Sequence, residues 1–205
     1  MPHADESTLR QLRDAVRAAS ARPDVRDAVE QVYRELADEV ARRRPLCVVS
    51  GRCCRFEEYG HRLFVTTGEL ATFLHGLQQG GQPGMGGRAS VRAAGSTGGA
   101  ALAARKDGSD GASPSRSLPL AVTTWDGTGC PFQVARLCGV HALRPFGCRI
   151  FFCDATATRW QNDAYETFHA RLKHLHEQLD LPYFYIEWRQ ALRALIPELG
   201  PGGTT

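Results

Sequence analysis

The stretch 130-CPFQVARLCGVHALRPFGCRIFFC-153 carries four of the chain's seven cysteines, and 47-CVVSGRCCRFEEYGHRLFVTT-67 carries the other three. No cysteine lies elsewhere. Free structural cysteines usually behave as small hydrophobes scattered through apolar segments. These sit beside Gly, Pro, Arg and Ser, in sequence that reads as turns. Turns let sulfurs from separate stretches converge on one point, whereas a helix offers only its i, i+4 positions. An odd count excludes complete internal pairing. The two segments therefore predict a domain organised around cysteine-bearing loops.

Spacing narrows the chemistry. Five residues separate Cys47 from Cys53, seven separate Cys130 from Cys138, nine separate Cys138 from Cys148, and four separate Cys148 from Cys153. None is the two-residue gap of a zinc knuckle or ribbon. Ligands gathered from several loops around one buried centre suit an iron–sulfur cluster, whose thiolates come at variable gaps. Thiolates also hold zinc well, so softness leaves iron and zinc both open. The candidate ligands are Cys47, Cys53, Cys54, Cys130, Cys138, Cys148 and Cys153. His61, in the turn-like stretch after Tyr59-Gly60, is a candidate eighth and a better one than His141. Phe132, Phe146, Phe151 and Phe152 would wall such a centre from water. Arg55, Arg144 and Arg149 would offset its negative charge.

Helices flank the loops. Leu9, Leu12 and Val16 recur at helical steps. After Pro23, a residue tolerated in a first helical turn, Val25, Val29, Val32, Leu36 and Val40 draw one apolar stripe to about Arg43. The run Arg42 to Arg44 reads as a solvated helix end. A short strand is predicted at Leu63 to Thr66, followed by a helix over Glu69 to Leu77 capped by Thr67. Residues 118–125 read as a strand and Asp126-Gly127 as a turn. Trp160, Tyr165, Phe168, Leu172, Leu175 and Leu179 mark a long helix from Thr158. His169, His174 and His176 read as its polar edge. A last helix is predicted from Ile186 to Leu195, ending before Pro197. The expected class is α+β, mostly α, with N- and C-terminal helices around a cysteine-rich loop core and a few short strands.

The predicted organisation is N-terminal helices over 1–46, the halves of a cysteine-cluster domain over 47–77 and 118–197, and a flexible tail from 198. Between the halves, residues 78–117 hold ten of the chain's 21 glycines and no Phe, Tyr or Trp. Such a stretch cannot offset its ordering entropy by burial and is expected to be disordered. With 25 Lys+Arg against 22 Asp+Glu over 205 residues, the net charge of +3 gives no reason to expect a nucleic-acid partner. No apolar run reaches membrane-spanning length. The charged start has no apolar signal region, so a cytoplasmic location, with reduced thiols, is expected.

CVVSGRCCRF, CPFQ and RPFGCRIFFC together resemble the YkgJ-type cysteine-cluster family, described as a zinc- or iron-chelating domain. The opening motif of that family is Cys-x-x-Cys-x-x-Cys-Cys. Cys47, Cys53 and Cys54 match its first, third and fourth positions, and Ser50 stands at the second. Cys130-Pro131-Phe132, Cys138, the Arg144 to Arg149 segment and Cys153 match the later motifs. The resemblance covers roughly 45–77 and 118–155. It implies a metal ion or cluster as the bound partner. One similar branch, the flagellin lysine N-methylases, implies iron–sulfur-dependent methyl transfer, but no S-adenosylmethionine fingerprint accompanies the cysteines here.

The residues leave three functions open. One is a metal-binding protein holding iron or zinc. Another is an iron–sulfur-dependent enzyme, with Glu57, Glu58 and Arg149 as candidate polar partners. The third is a structural zinc module that binds another protein.

Overall fold

In a computed structural model, which describes residues 4–47, 50–79, 125–134 and 137–199, the apolar stripes become helices. The glycine-rich stretch after Gln79, the expected strand before Trp125 and the tail after Leu199 lie outside the described residues. Helix α1 (Glu6–Ser20) begins at Asp5, whose carboxylate accepts the Thr8 N–H at 2.7 Å. Helix α2 (Pro23–Arg43) opens on its proline, which has no N–H to leave unpaired. Both match the sequence reading. The class does too: the described residues are mostly α, with a few short strands.

The short helix α3 (Phe56–Tyr59) leads to strand β1 (Phe64–Thr66) and helix α4 (Thr67–Gln78). The cap of α4 is Thr66, not Thr67. Thr66 has the extended backbone a cap needs, and Glu69 reaches back to its N–H at 2.9 Å, completing a capping box. The Thr67 hydroxyl is engaged elsewhere, donating to the Pro182 carbonyl and accepting from the Phe184 N–H.

Strands β2 (Gln133–Val134) and β3 (Leu137–Cys138) pair antiparallel and precede α5 (Phe146–Ile150) and α6 (Thr158–Gln178). Strand β4 (Tyr185–Glu187) pairs antiparallel with β1, Val65 opposite Ile186, and helix α7 (Trp188–Leu199) follows. The predicted last helix thus starts two residues later than expected, because β1 claims Ile186 as its partner. It also runs through Pro197, which in a last turn removes only one backbone hydrogen bond.

Two apolar clusters hold the layers together. Leu12, Leu70, Phe73, Leu74, Trp188 and Leu192 join α1, α4 and α7, while Val29, Leu36, Phe146, Phe168 and Leu172 join α2, α5 and α6. Each fully buried Leu or Phe contributes about 1.5–3 kcal/mol, so each cluster is a core in its own right. His176 is not on a polar edge. It is buried, its Nε2 accepting the Gly68 N–H at 3.3 Å and its Nδ1 facing the Pro182 carbonyl. Burial lowers its pKa, consistent with a neutral ring that accepts on one side and donates on the other. No helix among the described residues is long and apolar enough to cross a membrane.

Candidate metal centre

Glycine-permitted turns set the two cysteine segments side by side. Gly51, at φ 68°, precedes the short 3-10 turn Arg52–Cys54, and Gly129, at φ 56°, precedes Cys130. Both angles lie in the left-handed region that glycine enters without a Cβ penalty. A Cβ at Gly129 would also sit 3.3 Å from the Cys54 carbonyl. With it absent, the Cys130 N–H donates to that carbonyl at 2.9 Å. Gln133 Nε2 donates to the Gly51 carbonyl at 3.0 Å, and the Gly129 N–H donates to Glu57 at 2.9 Å. Cys138 arrives on β3, and Cys148 sits within α5.

Five of the seven sulfurs share this place. The Cys53 and Cys54 sulfurs are 4.0 Å apart. Cys54 also interacts with Cys130 and Cys138, and Cys148 senses the charges of Cys130, Cys53 and Cys138. The protonation pattern follows. Interaction with the Cys54 S–H lowers Cys53 to about 6 and Cys138 to about 7, and lowers Cys130 as well. Cys54 is raised by its interactions with Cys130, Cys138 and Cys53 and by burial. Burial pushes the Cys148 thiol up.

Nearby donors favour the anionic sulfurs. The positive charge of Arg144 acts on Cys53, Cys138 and Cys148. Arg149 interacts with Cys148 while its guanidinium lies 4.2 Å over the Tyr33 ring. Arg55 does not take the expected part, since it forks onto Glu58 and donates to the Ser50 carbonyl. The indole N–H of Trp188 is buried without a regular hydrogen bond, and its effect falls on Cys130, where it favours the thiolate. A buried donor left unpaired costs about 1–3 kcal/mol, so this position suits a charged sulfur.

The other candidates lie apart. Cys47 is exposed. Cys153 meets not a thiol but Ser50, at 3.4 Å between Sγ and Oγ. Thus the serine at the resemblance's missing cysteine position faces the trailing cysteine. His61 is stacked on Phe151 and edge-on to Phe56, with Nε2 3.4 Å from the Cys53 carbonyl oxygen. Glu57 pairs with Arg189, and Glu58 with Arg55, so both carboxylates are committed to ion pairs. Phe132 and Phe146 are buried on two sides of the loops, one in each apolar cluster.

Among the described residues, no group of three or more His, Cys, Asp or Glu side chains is arranged to hold a metal ion. Cys53 and Cys54 meet as thiols within hydrogen-bond reach. For this one pair the separation of 4.0 Å is close to the sulfur–sulfur distance of about 3.8 Å in a tetrahedral zinc site with Zn–S of about 2.3 Å. The donor set is all thiolate, which suits zinc and iron–sulfur clusters alike.

Sequence reasoning did not single out Trp188 or Glu69. Trp188 reaches Cys130 only through long-range packing. Glu69 is buried and accepts the Phe146 N–H at 2.8 Å at the start of α5, the helix that bears Cys148. The Thr-x-x-Glu spacing of 66–69 was the one local signal available for it. Compared with family models, with curated proteins and with solved structures, the chain matches none.

Proposed function

We propose that this chain is a metal-binding protein whose clustered cysteines hold iron, as an iron–sulfur cluster, with zinc as the alternative occupant. The observation that carries the reading is the meeting of the two cysteine segments: the Cys130 N–H donates to the Cys54 carbonyl at 2.9 Å, and the Cys54 thiol interacts with those of Cys53, Cys130 and Cys138. A cation taken up there would displace thiol protons, because metal binding to thiols releases protons. Arg144 and the Trp188 N–H offset the remaining negative charge. Cys148 stands beside the four as a further sulfur donor. Cytoplasmic conditions, which keep thiols reduced, suit such a centre.

A functional centre and a structural one respond differently to chelation. The two apolar clusters are built of aliphatic and aromatic side chains, with Cys130 and Cys148 only at the margin of the first. Stripping the metal is therefore expected to abolish any visible absorbance while leaving the far-ultraviolet helical signal within about a tenth of its starting value. Collapse of the helical signal on chelation would instead mark the structural zinc module, whose metal supplies the folding free energy, on the order of 10 kcal/mol.

A further inference from the structure

Beside the sulfur group lies a cavity of about 350 Å³, with Cys53 and Cys148 in its wall. This is the small end of the range for ligand sites. Aromatic rings take part in the wall: Phe64, Phe151, Phe152 and Tyr165 line it, and all four are only partly buried. No Asp or Glu takes part. Arg62 does, and it is exposed. Its guanidinium acts on Glu187 through space, but among the described residues no hydrogen bond or ion pair engages it. His61 belongs to the same wall, and its Nδ1 is buried without a partner.

We infer that this cavity binds a small carboxylate carried on a planar unsaturated body, an aromatic acid being the simplest case. The rings of Phe64, Phe151 and Phe152 offer faces and edges to a flat apolar group. Arg62 offers a guanidinium fork that fits a carboxylate with two parallel hydrogen bonds. A cationic ligand would meet a guanidinium and no carboxylate, so the cavity discriminates by charge. Only one feature rests on the metal-binding reading: a ligand held here lies directly against the centre that Cys53 and Cys148 flank.

The test is titration of the full chain, followed by amide NMR, with benzoate, cinnamate and benzylamine. Benzoate and cinnamate are expected to bind with Kd of about 1 mM or tighter, as small fragments do, and to shift amides around residues 61–64 and 147–152. Benzylamine should bind at least tenfold more weakly. Arg62→Ala should weaken benzoate at least tenfold with an otherwise unchanged spectrum, and Arg62→Lys should restore part of the loss. Failure of both acids to bind, equal binding of benzylamine, or indifference to Arg62→Ala would overturn the inference. Metal content measured on the same samples separates the two readings. A metal-free protein that still binds benzoate through Arg62 keeps the cavity and removes the metal centre. A metal-loaded protein that ignores benzoate does the reverse.

Discussion

Replacing Cys54 by serine is expected to remove nearly all bound metal, and replacing Cys130 to do the same. Cys54 is the thiol that interacts with Cys53, Cys130 and Cys138, and Cys130 is the one on which the Trp188 N–H acts. A hydroxyl is a much poorer ligand than a thiolate for zinc or for an iron–sulfur cluster, so the loss should exceed tenfold in metal per chain. The contrast is Cys47→Ser. Cys47 is exposed and outside the sulfur group, so its replacement should leave metal content within about a quarter of the parent value. Metal analysis of the three variants, purified anaerobically, checks the pattern. Equal losses from all three, or none from any, would contradict the grouping of sulfurs described above.

The largest effect on stability is expected at Glu69. Its carboxylate is buried and accepts from the Thr66 N–H and hydroxyl, the Tyr33 hydroxyl and the Phe146 N–H. It ties α2, α4 and α5 together at one point. Glu69→Ala strands buried donors in all three, and each unpaired donor costs about 1–3 kcal/mol, so a loss of at least about 3 kcal/mol is expected in denaturant unfolding. The start of α5 loosens with it, and Cys148 lies two residues on.

Burial also raises the Glu69 pKa, more than its four donors lower it. The folded state therefore keeps this proton to higher pH than the unfolded state does. Its stability contribution is fully present below the ordinary glutamate range and falls as pH climbs through the raised value. Glu187 is raised by burial as well and adds a fall of the same sign. Glu69→Gln cannot ionise, so its unfolding free energy should decline less steeply with pH than that of the parent. A steeper or unchanged decline would show that Glu69 is not the group responsible.

The helices were legible because their burial repeats with the helical period. Val25, Val29, Val32 and Leu36 lie on one face of α2, and all are buried. The turn chemistry around the thiols was legible for a similar reason, since Gly51 and Gly129 carry the positive φ that their neighbours avoid. What could not be read locally was decided by distant partners. Ile186 looks helical until β1 pairs with it. Thr66 and Thr67 are equivalent caps in sequence, and the loop at 182–184 takes Thr67. His176 shares a helix with the exposed His174, yet Gly68 and Pro182 enclose it. In the candidate site, the clustering of cysteines in turns anticipated that the two segments meet. It did not divide the seven thiols, because only the fold turns Cys153 to Ser50 and leaves Cys47 exposed.

Counting iron, zinc and acid-labile sulfide per chain in anaerobically purified protein tests the account most directly. The expected result is iron with sulfide in comparable amounts, or one zinc without sulfide, bound by a chain of normal helicity. A folded chain that carries neither metal, whether as isolated or after reconstitution with iron and sulfide or with zinc, would contradict it.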